Sequence, residues 1–177
     1  MLRFITGLML LAAGVLTAAG ASAEKPKAHF AWGVEAGGSI DMTSNDMSTL
    51  NLGVIAGYRN SWIDVVGVGA GIHVMVNNNC RVFPIYGVLR TSFRSKPSLC
   101  FVDLRAGFVH DNTNQERSSD RLYQAPGVGF NLARSKRFAS YVLLAYEYNG
   151  MRSYDKAGYT FDIDGLSMAT VKIGITF

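Results

Sequence analysis

Beyond its N-terminal segment, this chain of 177 residues has no apolar run long enough for a membrane-spanning helix. Such a helix takes about 20 consecutive apolar residues, so a helical membrane bundle is excluded. It also lacks a Ser/Pro-rich linker or a block of like charge, so the mature chain reads as one domain. Cysteine is scarce, at 2 residues. In an exported chain a pair ordinarily suggests a disulfide. Here Cys80 falls in a turn at one end of a candidate strand, and Cys100 opens the next strand beyond the opposite end. A strand of about ten residues parts those ends by roughly 30 Å, whereas a disulfide needs Cα atoms within about 7 Å. Free thiols are expected. Lys and Arg exceed Asp and Glu by 17 to 13, too small an excess to argue for nucleic acid. The histidines, His29, His73 and His110, fall on different strands without ligand spacing. Asp162-Ile163-Asp164-Gly165 lacks the terminal Glu of a calcium loop. No metal or cofactor is therefore expected. The run Gly67-Val68-Gly69-Ala70-Gly71 opens no helix, as a phosphate-binding loop must. In a strand, alternate glycines leave room for larger side chains across a narrow lumen.

What is present begins with a signal peptide. Arg3 forms a short basic region, Phe4 to Leu16 is almost wholly apolar, and Ala21-Ser22-Ala23 is an A-x-A site. Cleavage after Ala23 leaves a mature domain of residues 24–177. No Cys sits at the cleavage site, which argues against a lipoprotein.

The mature chain contains eight alternating runs, at 29–42, 49–59, 62–76, 81–93, 100–110, 122–134, 138–149 and 166–177. Alternation with period two is the mark of a strand with two unlike faces. In the first run Phe30, Trp32, Val34, Ile40 and Met42 oppose Gly33, Glu35, Gly37, Ser39 and Asp41. In the fifth, Val102, Leu104, Ala106 and Phe108 oppose Asp103, Arg105 and Gly107. In the seventh, Val142, Leu144, Tyr146 and Tyr148 oppose Tyr141, Ala145, Glu147 and Asn149. One face suits lipid and the other carries charge and small residues, the inverse of a soluble lipocalin-like barrel. Short connections (Asn60-Ser61, Arg94 to Leu99, Ser135 to Arg137) alternate with longer ones (Asp111 to Arg121, Gly150 to Gly165). Asn77-Asn78-Asn79-Cys80 is the exception. The pattern predicts an all-β, eight-stranded antiparallel up-and-down transmembrane β-barrel. Aromatics gather toward its two rims: Trp32, Tyr58, Trp62, Phe93, Phe138 and Phe177 toward one, Phe83, Phe108 and Tyr148 toward the other.

On these residues the chain resembles the small eight-stranded outer-membrane barrels, OmpA-like and OmpX-like in architecture, of the porin-family kind labelled outer-membrane protein β-barrel domain. The matching segments are Phe83-Pro84-Ile85-Tyr86-Gly87-Val88-Leu89-Arg90, Phe101-Val102-Asp103-Leu104-Arg105-Ala106-Gly107-Phe108, Pro126-Gly127-Val128-Gly129-Phe130, and the last strand ending in Phe177. That terminal aromatic resembles the C-terminal assembly signal of the family. The resemblance implies the outer membrane of a Gram-negative cell envelope, with both termini in the periplasm. It also implies contact with outer-membrane lipids and lipopolysaccharide, and with the barrel-assembly machinery during insertion. It names no activity.

The inward positions collect Glu35, Arg90, Asp103, Arg105, Glu147 and Lys172. Strand order sets Arg90 beside Asp103, and barrel closure sets Glu35 beside Lys172. Buried charges must pair or cost several kcal/mol each, so a lumen ion-pair network is expected, in a barrel with interior room only for side chains. The expectation is a non-enzymatic role in envelope integrity or surface interaction. Alternatives are an accessory subunit of a larger outer-membrane complex, a small gated channel, or a lipid A-modifying enzyme. For the last, His110 projects outward near Glu116, Ser118 and Ser119, but the His-x-Ser motif is missing, since His110-Asp111-Asn112 stands there. Loops 111–121 and 150–165, with Arg152, Tyr154, Tyr159 and Phe161 in the second, are where a protein or glycan partner would bind.

Overall fold

The computed structural model describes residues 29–43, 47–60, 63–76, 81–92, 99–111, 120–135, 138–151, 153–156, 159–163 and 165–177. The signal segment and Cys80 lie outside these residues. Its strands are β1 (His29–Asp41), β2 (Thr49–Arg59), β3 (Ile63–Met75), β4 (Arg81–Ser92), β5 (Cys100–Asp111), β6 (Asp120–Gln124), β7 (Gly127–Arg134), β8 (Ala139–Asn149), β9 (Ser153–Lys156), β10 (Tyr159–Asp162) and β11 (Leu166–Thr176). Nine of them form one sheet in the order β11-β1-β2-β3-β4-β5-β6-β8-β7, closed by pairing of β11 with β8. All its pairings are antiparallel.

β6 and β7 are two halves of one stave, so the nine strands make a closed barrel of eight. Ala106↔Gln124 and Asp103↔Gly127 belong to one unbroken register against β5. The interruption is Pro126, which has no N–H to give. Ala125 N–H still bonds Arg105 O at 2.9 Å, and Tyr146 N–H bonds Pro126 O at 3.0 Å. The reciprocal bond to Tyr146 cannot form. A similar gap faces Pro84, where the β3–β4 ladder breaks between Ala70↔Ile85 and His73↔Val82. The predicted run 122–134 thus spans a real stave with a local defect.

Side chains alternate as the sequence requires. On β11, Leu166, Met168, Thr170, Lys172 and Thr176 are buried, while Val171, Ile173 and Ile175 are exposed. The outer surface is apolar along every stave: Phe30, Leu52, Val68, Ile85, Phe108, Leu132 and Ile173 are each more than half exposed, and Leu144 of β8 is nearly so. Trp32 and Phe177 stack across the closing seam, with ring centroids 4.7 Å apart. Cys100, half-buried at the start of β5, is not part of a disulfide.

Apolar side chains bracket the charged interior. Met47, Met75, Val82, Val109, Tyr123, Met151, Leu166 and Met168 lie toward the long-loop end, with Ile163 against them, and the same buried cluster runs on through Tyr86 and Val88 of β4, Ile55 of β2 and Val65 of β3. Toward the short-turn end lie Phe101, Tyr141 and Leu143. The segment expected as loop 150–165 contains a small hairpin, β9 with β10, paired from Tyr159↔Lys156 to Asp162↔Ser153.

Candidate functional site

Between the apolar layers the lumen is charged. Glu35, Arg90, Asp103, Arg105, Glu147 and Lys172 are all buried, each at most 5% exposed. They divide into two groups.

The group nearer the short-turn end is built on Glu35 of β1. Arg105 reaches it from β5 with a guanidinium fork, Nη1 to Oε2 at 2.6 Å and Nη2 to Oε1 at 2.8 Å. The same arginine donates Nε to Asp103 Oδ1 at 2.6 Å. Arg90 donates Nε to Asp103 Oδ2 at 2.8 Å and Nη2 to Glu35 Oε1 at 3.2 Å. Tyr141 completes the carboxylate shell by donating its hydroxyl to Glu35 Oε1 at 2.5 Å. Aromatic rings line the guanidinium groups. Arg90 Cζ lies 4.6 Å from the centroid of Phe101 and 4.1 Å from that of Tyr141. Arg105 Cζ lies 5.2 Å from that of Tyr86, whose hydroxyl accepts Arg105 Nη1 at 3.2 Å. Contact of this kind strengthens as water is excluded.

Glycines make those ring positions available. Gly69, Gly129 and Gly174 stand directly across their ladders from Tyr86, Phe101 and Tyr141. A Cβ at these glycines would come within 2.5 Å, 2.0 Å and 2.4 Å of the opposing ring. Each aromatic folds over a bare backbone and so reaches the arginines, a cross-strand pairing that also protects the glycine.

The second group surrounds Glu147 of β8. Its Oε2 accepts Lys172 Nζ at 3.3 Å and Thr170 Oγ1 at 3.4 Å, and its Oε1 accepts Asn149 Nδ2 at 2.9 Å. His73 Nδ1 lies 2.9 Å from Oε1 but off the hydrogen-bonding line. A polar chain continues from Thr170 through Ser39 (2.7 Å), Asn51 (2.6 Å) and Thr49 (2.8 Å).

The expected neighbours Arg90 and Asp103 meet. The expected pair Glu35 and Lys172 is replaced: Lys172 turns to Glu147, and Glu35 is held by two arginines. Register explains the near miss, since Lys172 stands opposite Gly37, two positions from Glu35. The planar guanidinium fork matches a carboxylate better than a single ammonium does. Arg105 binds Glu35 across the lumen rather than along a ladder, so neighbour counting on strands could not find it. His73, considered in the sequence only for metal-ligand spacing and found to lack it, is a buried lumen residue beside Glu147. The methionine layer was missed because an inward apolar cap leaves no period-two signature of its own.

Phe177 is held at the seam by its N–H to Trp32 O, 2.7 Å. His110 is exposed at the loop end of β5. Glu116, Ser118 and Ser119 lie outside the described residues, as does most of loop 111–121. Among the described residues no group of three or more His, Cys, Asp and Glu converges.

No family model and no curated protein matches the sequence. Solved structures do. Neisserial surface protein A is similar at 13% identity and TM-score 0.58, over 85% of this chain and 97% of that one. The N-terminal β-barrel domain of Pseudomonas aeruginosa OprF aligns at 13% identity and TM-score 0.48, over 85% of this chain and 100% of that one. Likeness at such identity speaks for architecture, and the chain has the fold of the small eight-stranded outer-membrane β-barrels.

Proposed function

We propose that this chain is an integral, non-enzymatic barrel of the bacterial outer membrane, with its termini and short turns periplasmic. Its task is envelope integrity or contact at the cell surface through the long-loop end. The observation that carries this reading is the segregation of charge. Among the described residues six charged side chains are buried in the lumen, while the outer face is apolar through most of its height. A soluble barrel would need the reverse, since the hydrophobic effect places apolar surface inside.

The lumen is sealed in this proposal. The space between Glu35, Asn51, His73, Tyr86 and Lys172 does not admit a water molecule. The methionine layer stands above it, and the salt-bridged arginines stand below. The barrel wall serves as a rigid frame for the loops.

The test joins localisation to protease mapping. Tags in loop 150–165 and at the mature N-terminus are probed on intact cells and after opening the outer membrane. Cleavage of the loop tag alone on intact cells supports the proposal. A chain recovered in the soluble fraction, or an N-terminal tag cut on intact cells, overturns it.

A further inference from the structure

One rung of cross-strand pairs fixes heights on the outer wall. From Trp32 of β1 it crosses β2 and β3 to Gly87 of β4, Ala106 of β5 and Gln124 of β6, each position directly opposite the last. It goes on through Tyr148 of β8 to Ser167 of β11, whose carbonyl accepts the N–H of Met42 at 2.9 Å. One circuit thus returns to the first stave ten residues beyond its start, because a rung climbs a barrel as it circles it. Ten residues at about 3.3 Å, tilted by about 40°, rise roughly 25 Å, the height of an outer-membrane apolar band. Gln124 stands at the fifth of the eight steps, about 16 Å above Trp32 and about 9 Å below Met42.

At that depth Gln124 is exposed on the outer wall, among the exposed Leu104, Phe108 and Leu122. Among the described residues nothing hydrogen-bonds its side-chain amide. The Tyr146 and Ser167 hydroxyls of the same wall are matched, bonding each other at 2.7 Å. An unmatched amide in hydrocarbon is costly, since lipid tails neither donate nor accept. Beside it the wall is recessed. Ala106 and Gly87 hold the next two outward positions, and a Cβ added to Gly87 would meet nothing nearer than Ala106 O at 3.7 Å.

We infer that two copies of this chain pair side by side in the membrane through this face, with their Gln124 amides hydrogen-bonded to each other. The inference rests on the outer-membrane reading above, which sets the apolar band in hydrocarbon. Charge complementarity selects a second copy as the occupant. A primary amide carries a donor and an acceptor together, and a two-fold axis along the membrane normal sets each donor against its mate's acceptor at equal depth. The same axis turns the β5 side of one copy toward the β8 side of the other. Ala106 and Gly87 then face the exposed Tyr146 and Leu144 of the second copy. Small residues against large ones let the two walls close around the amides.

The full chain, labelled with a donor or an acceptor dye, is folded into phosphatidylcholine vesicles over a range of protein-to-lipid ratios. Insertion is scored by the fast gel migration of the unheated barrel, and pairing by energy transfer. Transfer should exceed that of random mixing and saturate as for a dimer. Gln124→Leu should insert as well as the unaltered chain but raise the dissociation midpoint roughly tenfold, as expected for hydrogen bonds between membrane segments. Gly87→Leu should weaken pairing by filling the recess, and Leu52→Ala on the far wall should leave it unchanged. Transfer at the random-mixing level overturns the inference, as does Gln124→Leu pairing like the unaltered chain, or an equal loss with Leu52→Ala. In cells, a photo-crosslinking residue in place of Ala106 should give an adduct of two copies; an adduct of another mass assigns the face to a different protein and overturns it too. A chain that inserts into no vesicle overturns the membrane reading itself.

Discussion

Gly174 and Tyr141 face each other on the β11–β8 ladder, and the tyrosine ring fills the space a side chain at 174 would occupy. From there the hydroxyl reaches Glu35 at 2.5 Å. A residue with no side chain thereby sets the position of a carboxylate on a third strand. Gly69 does the same for Tyr86 and Arg105, and Gly129 for Phe101 and Arg90.

Alanine at these glycines should therefore do more than fill space. Gly174→Ala, Gly69→Ala and Gly129→Ala are each expected to destabilise the folded barrel by about 1–3 kcal/mol, the usual cost of overpacking. Gly87→Ala is the control: the nearest atom to a Cβ there is Ala106 O at 3.7 Å. Urea unfolding in vesicles should show it unchanged or more stable by up to about 1 kcal/mol. Four equal losses would contradict the ring-over-glycine account.

The salt-bridge geometry ranks its own partners. Arg105→Ala leaves the two buried carboxylates of Glu35 and Asp103 to Arg90 alone and should cost about 3–5 kcal/mol, as for a buried pair stripped of one member. In double-mutant cycles, the Glu35–Arg105 coupling should exceed Glu35–Lys172 by at least about 1 kcal/mol. The reverse order would restore the pairing that closure alone suggested.

Two barriers in series should keep the barrel electrically silent. In planar bilayers neither Met75→Ala with Met168→Ala nor Arg90→Ala alone should give unitary steps, because the other layer remains. Combining the three substitutions should. Steps from the unaltered barrel would show that the lumen is an open path.

The seam offers a fourth measurement. Trp32 and Phe177 stack with an interplanar angle of 22°, and such ring pairs contribute about 0.5–1.5 kcal/mol beyond their burial. Phe177→Ala should remove that amount in refolding experiments. If the terminal ring also guides assembly, the folded yield in cells should fall much further than this stability loss predicts. Equal losses in both settings would reduce Phe177 to a packing residue.

Much of the architecture could be read in the chain because a barrel's two faces meet opposite solvents. Val142, Leu144 and Tyr146 against Tyr141, Leu143 and Glu147 states which side of β8 faces out. Stave number followed from turn spacing, and even Pro126 did not shift the register. What could not be read was contact across the lumen. Arg105 meets Glu35 over a sequence distance of 70 residues, through space that no ladder defines. The hairpin β9–β10 was also hidden, since its short strands lie in a polar segment that reads as loop. Glycine opposite an aromatic is a local pattern, legible once register is known and invisible before.

The two charge groups have one further property: among the described residues, acids and Lys or Arg are equal in number within each. Glu35 and Asp103 balance Arg90 and Arg105, and Glu147 balances Lys172. A barrel closing around them therefore moves dipoles rather than net charge into a medium of low permittivity, and neither level must wait for a counter-charge from the other. The same arithmetic constrains descent. A charge lost from one level is compensated most directly within that level, so substitutions among these residues should tend to be inherited in pairs that respect the division.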